Sequence, residues 1–306
     1  MAMTPDQLKA DVPVGMLAFP LTDFDAAGAF DKASFLKRLE WLSSYRPAAL
    51  FMAGGAGEFF SLTPAEYSAV IAAGVGACGG SFPVIAASGY GTRTAIEYAV
   101  EAERLGADGL LLLPPYLTEG SQEGLRAHIT AICKSTKLGV IVYNRANCRL
   151  AADTVARLAA DCPNLIGFKD GVGDIEQLTG VRNVISDRLL FINGMPTAET
   201  YARSFRGIGI PTYSSAIFNF VPRTALAFMH ALKSGDEATV DRLLTDFLVP
   251  YVRIRNKGQG YAVSIVKAGA AIVGRSAGKV RPPLSDCTAA EVAELRALIE
   301  TMGPQD

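Results

Sequence analysis

The residue with the clearest chemical potential in this sequence is Lys169, which ends the apolar run LIGFK and is followed by Asp170. Apolar surroundings disfavour a charged ammonium and yield a free, nucleophilic amine. The alternative is a structural lysine whose ammonium group reaches water or pairs with Asp170. The pattern makes Lys169 a candidate for covalent attack on a carbonyl carbon.

A second candidate, Tyr143, lies near the end of the preceding apolar run, LGVIVYN. Neighbouring strands of a sheet are about 4.8 Å apart, so inward side chains at two adjacent strand ends can meet. A phenol in that position can relay protons to and from a carbonyl held by Lys169. The alternative is a tyrosine that closes the core with its hydroxyl in water.

The third candidate is a glycine turn, AGGAGE, over Ala53–Glu58. Backbone N–H groups at Gly55, Ala56 and Gly57 can receive an anion such as a carboxylate. The turn does not have the spacing of a dinucleotide-binding fingerprint. A carboxylate cradle, an amine and a proton relay together predict Schiff-base chemistry on a 2-keto acid. We expect no metal or organic cofactor, since the lysine imine itself accepts electrons.

The elements that must position these residues are short apolar runs separated by segments of helical period. Most runs are continuously apolar, as expected for strands covered on both faces. Eight such units predict an α/β fold, a closed (β/α)8 TIM barrel with chemistry at the carboxyl ends of its strands; a doubly wound open sheet is the alternative. The candidate strands are Val12–Phe19, Ala49–Ala53, Pro83–Ala87, Gly109–Leu113, Leu138–Tyr143, Leu165–Lys169, Leu189–Ile192 and Gly207–Thr212.

Domain organisation follows from the same pattern. The barrel is predicted over residues 1–235, and a C-terminal helical extension packed on it over residues 236–306. The extension is expected to contain helices at Asp236–Val249, Gly260–Val273 and Ala289–Met302. Capping boxes at Thr63 and Thr288 mark two helix starts.

Composition narrows the class of function. Lysine and arginine total 29 against 30 acidic residues, which gives no electrostatic case for nucleic acid or an anionic membrane. Two histidines and five scattered cysteines indicate neither a zinc site nor a disulfide framework. The most apolar run, GLLLLPPYL, is too short to span a bilayer, and no secretion signal is visible. We expect a cytoplasmic protein.

Over nearly its whole length the chain resembles the dihydrodipicolinate synthase and N-acetylneuraminate lyase superfamily. The resemblance rests on the order and spacing of the glycine turn ending in Gly57-Glu58, SQEGL at residues 121–125, VIVYN and GFKD. It implies an imine between Lys169 and the substrate keto group, proton shuttling by Tyr143 and carboxylate binding by the glycine turn. It also implies a homodimer or homotetramer.

Within the superfamily the chain is most similar to the decarboxylating dehydratases of 5-dehydro-4-deoxyglucarate. The similarity is carried by AGGAGEFFSLTPAEY, VIVYNRAN, TYSSAIFNF, GYAVSIVKAG and GRSAGKVRPPL. It implies a lyase of carbohydrate-acid metabolism, in glucarate catabolism, that removes water and carbon dioxide to give 2,5-dioxopentanoate. Two alternatives remain: a class I aldolase acting on a 2-keto-3-deoxy sugar acid, which would share Lys169 and Tyr143, and a silent keto-acid-binding barrel, which Ala56 leaves open.

Two positions depart from the superfamily pattern. Synthases and lyases carry two hydroxyl residues where this chain has Gly55 and Ala56, and the dehydratases usually have glycine then threonine. Ala56 therefore lacks one hydrogen bond, worth roughly 0.5–1.5 kcal/mol. Synthases also carry two tyrosines after the fourth strand, where this chain reads Pro115-Tyr116-Leu117. The second departure argues against dihydrodipicolinate synthesis.

A six-carbon keto-diacid requires a second anion site. Arg145, two residues after Tyr143, is the best cationic candidate because a guanidinium matches carboxylate geometry. The alternative is a solvated loop arginine. Thr197 and the pair Ser214-Ser215, expected just after the last strand, are candidate hydroxyl ligands, although loop hydroxyls more often cap helices.

Overall fold

The computed structural model describes residues 3–116 and 119–305, and its centre is one eight-stranded parallel sheet. Strand β1 pairs with both β2 and β8, and a parallel bridge between Asn193 and Tyr213 joins β7 to the residue before β8. The sheet therefore forms the predicted barrel, and the open-sheet alternative is wrong. The strands are β1 Leu17–Ala18, β2 Ala49–Met52, β3 Val84–Ser88, β4 Gly109–Leu112, β5 Gly139–Asn144, β6 Leu165–Asp170, β7 Leu190–Asn193 and β8 Ser214–Ser215.

Helices follow the strands and form the outer layer. The predicted capping boxes at Thr63 and Thr288 are both present, each with reciprocal hydrogen bonds to a glutamate three residues later. The helices are α1 Pro5–Asp11, α2 Lys32–Ser44, α3 Pro64–Cys78, α4 Thr92–Arg104, α5 Gln122–Ser135, α6 Ala152–Asp161, α7 Ile175–Ile185, α8 Ala202–Gly207, α9 Pro222–Ser234, α10 Glu237–Leu243, α11 Val249–Arg255, α12 Tyr261–Ile272 and α13 Ala289–Glu300. No helix within the described ranges has both the length and the apolarity needed to cross a membrane.

The first strand is shorter than predicted. The expected run Val12–Phe19 begins with a 3-10 turn at Val12–Val14, and only Leu17–Ala18 pairs as strand. Pro13 lacks an N–H and has a fixed φ, so it suits the start of a helical turn and cannot donate to a ladder. The apolar character of the run reflects burial of Val12 rather than strand structure.

The eighth strand lies later than predicted. Within the expected Gly207–Thr212, Gly207 ends α8 and Gly209 has φ +81°. The Ile210 N–H donates back to the Phe205 carbonyl at 2.8 Å. Pro211 then interrupts any ladder. The last strand is Ser214–Ser215 itself, so the serines expected after it form it instead.

The core has an inner part within the barrel and an outer part between sheet and helices. In the inner part, Phe19 and Phe51 stack with ring centroids 4.5 Å apart. Helix α1 lies under the amino-terminal ends of the strands and inserts Leu8. Gly109 makes room for it, because a Cβ there would lie 2.3 Å from Leu8 Cδ2. The lower end of the barrel is therefore filled by α1.

The C-terminal segment begins with a longer helix than the predicted Asp236–Val249. Helices α10 and α11 are joined by a π turn at Leu244–Leu248 and continue to Arg255. Pro250 lies just after that turn, in the first turn of α11. Because proline has no N–H to donate, the regular helical hydrogen-bond pattern is interrupted at this point. Helices α12 and α13 correspond to the two other predicted segments. The division into units at residues 235 and 236 remains a prediction.

Candidate active site

A cavity of about 370 Å³ opens at the carboxyl ends of the strands. It is enclosed by apolar side chains such as Phe19 and Leu111, with few polar groups, the composition typical of small-molecule sites. Of the predicted site residues, those that line it are Gly55, Ala56, Tyr143, Arg145, Lys169, Ser214 and Ser215.

Lys169 lies in this cavity with only 4% of its surface exposed. Its Nζ is 3.9 Å from the centroid of the Phe19 ring and 4.6 Å from that of Tyr143. Burial lowers the pKa of Lys169 to about 7, and the charge of Arg145 acts in the same direction. A substantial fraction of this amine is therefore unprotonated near neutral pH.

Asp170 does not neutralise Lys169. Its carboxylate accepts a 2.6 Å hydrogen bond from Asn144 and further bonds from the N–H groups of Val172 and Gly173. Among the described residues, no carboxylate forms an ion pair with Lys169. The placement differs from the alternative of a surface lysine paired with its neighbour.

Gly194, which sequence reasoning missed, makes the space that Lys169 occupies. A Cβ at this position would lie 2.6 Å from both Cγ and Cε of Lys169. The Gly194 N–H also bonds to the Asp170 carbonyl at 2.6 Å. The only signal in the sequence was an Asn-Gly pair after an apolar run, which commonly marks a turn.

Tyr143 is the partner of Lys169 in the pairing of β5 and β6, as the predicted adjacency of strand ends requires. Its hydroxyl donates to the Gly194 carbonyl at 2.7 Å and accepts from Nη1 of Arg145 at 3.0 Å. Burial raises the pKa of Tyr143, while the charge and hydrogen bond of Arg145 oppose that rise. Arg145 therefore favours the deprotonated form of both Lys169 and Tyr143.

The glycine turn is shaped by two residues in the left-handed region, Ala53 at φ +52° and Glu58 at φ +55°. A Cβ at Gly57 would lie 3.1 Å from Ala53 Cα, so a side chain there would crowd the turn. The Gly57 carbonyl accepts a 2.7 Å hydrogen bond from buried Thr22, another residue missed from sequence. Gly57 itself is buried and is not among the residues that line the cavity.

The N–H groups of this turn are available to a ligand. Within the described parts of the chain, those of Gly55, Ala56 and Gly57 donate no hydrogen bond. Gly55 and Ala56 face the cavity that contains Lys169. Unused N–H donors beside a buried amine suit a carboxylate adjacent to a carbonyl.

Glu58 anchors the end of the turn to the C-terminal segment. Its fully buried carboxylate has Oε1 2.6 Å from Nζ of Lys267 in α12, and Oε2 accepts the Arg281 N–H at 2.9 Å. Lys267 also donates to the Lys279 carbonyl at 2.9 Å. The C-terminal helices therefore contribute to the position of the turn.

The remaining predicted ligands are held by neighbours. Thr197 is buried, accepts a hydrogen bond from Arg255, and does not line the cavity. The Ser215 hydroxyl donates to Oε1 of Glu199 at 2.5 Å. Glu199 was not predicted; burial raises its pKa to about 7, against the hydrogen bond from Ser215. Of the Pro115-Tyr116-Leu117 run, Leu117 lies outside the described residues.

Comparison with known proteins gives a consistent result. Proteins named probable 5-dehydro-4-deoxyglucarate dehydratase from Pseudomonas entomophila (strain L48) and Leptothrix cholodnii are 57% and 55% identical to this chain over 303 residues. The alignments cover 99% of this chain and 99% and 100% of those proteins. The resemblance seen in the sequence is thereby confirmed.

Solved structures agree on the architecture. A dihydrodipicolinate synthase from Oceanobacillus iheyensis superposes with a TM-score of 0.89 at 25% identity, covering 97% of this chain and 99% of that one. One from Bacillus anthracis gives 0.86 at 26%, covering 95% and 99%. A sequence model described as the dihydrodipicolinate synthetase family matches residues 12–302. This chain therefore belongs to the dihydrodipicolinate synthetase family.

Proposed function

We propose that this protein is a decarboxylating dehydratase that converts 5-dehydro-4-deoxy-D-glucarate to 2,5-dioxopentanoate, carbon dioxide and water through a Schiff base on Lys169. The observation that carries the proposal is the buried Lys169 amine, which faces Tyr143 in a cavity lined by the unused N–H groups of the glycine turn. The names of relatives more than half identical to this chain support the choice of substrate.

In the first step, unprotonated Lys169 attacks the keto carbon at position 5. A carbon–nitrogen bond forms, the carbonyl electron pair moves to oxygen, and that oxygen takes up protons and leaves as water. Tyr143 is placed to pass these protons, since its hydroxyl is on the adjacent strand. The product of this step is an iminium ion.

Substrate orientation would come from the two carboxylates. The carboxylate next to the keto carbon binds the N–H groups of Gly55 and Ala56, which line the cavity, and this places the carbonyl near Lys169; the buried Gly57 shapes the turn behind them. The distal carboxylate binds Arg145 at the rim of the same cavity. Ser214 and Ser215 supply hydroxyls near the substrate, whereas Thr197 accepts a hydrogen bond from Arg255 outside the cavity.

The iminium acidifies the hydrogens on carbon 4, and loss of one of them expels the hydroxyl on carbon 3 as water. Isomerisation places a carbonyl at carbon 2, which can accept the electron pair released when carbon 6 leaves as carbon dioxide. Hydrolysis returns Lys169 and frees the aldehyde. Electrons balance within the substrate, so the sequence of steps requires no oxidant or reductant. We further propose that the enzyme acts in the cytoplasm as a homodimer or homotetramer.

The test is simultaneous measurement of carbon dioxide and 2,5-dioxopentanoate from 5-dehydro-4-deoxyglucarate. We expect equal amounts of both from the wild-type protein and neither from Lys169→Ala. Lys37→Ala, which removes an exposed lysine on α2, is the matched control and should retain activity. Release of pyruvate would reassign the protein to the aldolases, and an absence of turnover and of any borohydride-trapped imine would favour a silent binding protein.

A further inference from the structure

We propose that Arg145 selects dicarboxylic keto acids at the step of imine formation, because its charge opposes the cationic iminium until a distal carboxylate neutralises it. The inference rests on the proposed function, which supplies the imine and the diacid. It assigns Arg145 a role in specificity in addition to binding.

The geometry places two cations against one phenol. Nη1 of Arg145 is 3.0 Å from the Tyr143 hydroxyl, and its guanidinium carbon is 5.8 Å from the ring centroid. Nζ of Lys169 lies 4.6 Å from the same centroid, and all three residues line one cavity. Lys169 is buried and Arg145 lies exposed at the rim, so a charge on the Lys169 nitrogen interacts with Arg145 across the single ring of Tyr143.

The main chain holds Arg145 in this position. Its N–H and carbonyl form a pair of hydrogen bonds with Cys148, at 3.2 and 2.9 Å. Ala146 between them has φ +49°, a conformation that a non-glycine residue adopts only where its surroundings impose it. The side chain thus projects from a short fixed turn directly after β5.

No other described charge compensates Arg145 from within the cavity. Asp170 is turned toward Asn144 and two backbone amides, and Tyr143 is a phenol whose pKa burial raises. Arg145 forms no ion pair with a carboxylate among the described residues. With a monocarboxylic keto acid the one carboxylate lies beside the iminium at the glycine turn, and Arg145 is left without a counter-charge of its own.

A diacid changes this balance. Its distal carboxylate pairs with the guanidinium in the bidentate manner that arginine favours. The iminium then faces a neutral ion pair, and the Tyr143 oxygen, which no longer accepts the hydrogen bond from Arg145, is free to accept one from the substrate. The preference for diacids over monoacids would therefore appear in the amount of imine formed as well as in the binding affinity.

The experiment compares two unreactive probes of equal length, 2-oxoadipate and 2-oxohexanoate, by borohydride trapping of Lys169 and intact-protein mass. Neither probe has a hydroxyl group that could be eliminated as water, so the comparison does not depend on dehydratase turnover. We expect the wild-type protein to form about tenfold more trapped imine with the diacid than with the monoacid. A tenfold ratio corresponds to the interaction energy that shifts a pKa by one unit. Arg145→Gln should remove that preference by lowering trapping of the diacid while leaving or raising trapping of the monoacid. Arg145→Lys should restore part of it.

The pH midpoint for trapping of 2-oxohexanoate provides a readout that a structural defect would not produce. It should rise in Arg145→Gln, because one positive charge beside Lys169 is gone, and remain unchanged in Arg149→Gln, which removes an exposed arginine four residues away. An equal loss of trapping for both probes, or an unchanged midpoint, would overturn the proposal. Carbon dioxide release from the sugar acid tests the proposed function separately.

Discussion

At the scale of single residues, the protonation state of Lys169 is decided by burial. The ammonium lies between two aromatic rings with no carboxylate partner among the described residues, so desolvation outweighs the weak attraction of the ring faces. Its amine becomes nucleophilic several pH units below the range of an exposed lysine.

The first prediction concerns this pH dependence. The rate of imine formation with pyruvate should rise as pH passes through about 7 and level off above it, since only the unprotonated amine attacks. Stopped-flow or quenched borohydride trapping between pH 5 and 10 measures the midpoint. A midpoint close to 10 would show that Lys169 is solvated and charged in solution.

The second prediction concerns Gly194. Gly194→Ala would place a methyl group 2.6 Å from Lys169 Cε and displace the amine from Tyr143. We expect kcat/KM to fall about 100-fold, as small displacements of reacting groups do, with a destabilisation of about 1–3 kcal/mol. Gly180→Ala on α7, where nothing lies within 4 Å, is the matched control and should keep full activity. Steady-state kinetics and urea unfolding of both variants check this.

The third prediction concerns Ala56. Ala56→Thr adds a hydroxyl at the cavity wall, where it can donate to the substrate carboxylate. One such bond contributes roughly 0.5–1.5 kcal/mol, so KM should fall up to about tenfold. Ala56→Val has a similar shape without the hydroxyl and serves as control. If both substitutions change KM alike, the effect belongs to packing rather than to hydrogen bonding.

At the scale of elements, the glycine turn depends on a helix far along the chain. Glu58 at the end of the turn is buried against Lys267 of α12 at 2.6 Å. Burial lowers the pKa of Lys267, and the Glu58 carboxylate opposes that effect. The charged form of Lys267 is therefore stabilised by Glu58. The glycine turn is thus held jointly by β2 and the C-terminal segment.

The fourth prediction follows from this pair. Lys267→Met leaves the Glu58 carboxylate buried without its cation, and we expect a loss of about 3–5 kcal/mol in the free energy of unfolding. Pairing it with Glu58→Gln removes the uncompensated charge and should recover a large part of that loss. Denaturant titrations of both single variants and the double variant measure the coupling. Additive losses would mean that the two side chains do not interact.

Sequence patterns predicted the elements well where the strands are continuously apolar, and poorly where proline and glycine are mixed with them. Periodicity located β5 and β6, and with them the contact of Tyr143 with Lys169, since parallel register follows from the barrel. It misplaced β8 because Ile208 and Ile210 are apolar for packing rather than for pairing. Gly194 and Glu199 were not predicted because each acts through a loop brought in by tertiary structure, which spacing does not encode.

At the scale of the whole molecule, the barrel has two unlike ends. The carboxyl ends of the strands surround the cavity, while Leu8 of α1 fills the opposite end against Gly109. The two ends are separated by the inner core of stacked aromatic and branched side chains. The amino ends of the strands are therefore closed by packing, whereas the carboxyl ends are open.

The fifth prediction uses this separation. Leu8→Ala removes a fully buried side chain and should reduce the free energy of unfolding by about 2–5 kcal/mol. At a temperature where the variant stays folded, KM and kcat should match those of the wild-type protein. Thermal melting and kinetics at 20 °C measure the two effects. A changed KM in the folded variant would mean that the two ends communicate.

The position of α1 also has a consequence for how the chain matures on the ribosome. This helix is synthesised before the strands on which it packs, which begin at Gly109 and Gly139, about a hundred or more residues later. At synthesis rates of about 5–20 residues per second, the helix waits for several seconds without its docking site. The nascent barrel thus stays open at its base until its middle strands emerge, and chaperones that bind short apolar segments have their best opportunity during that interval.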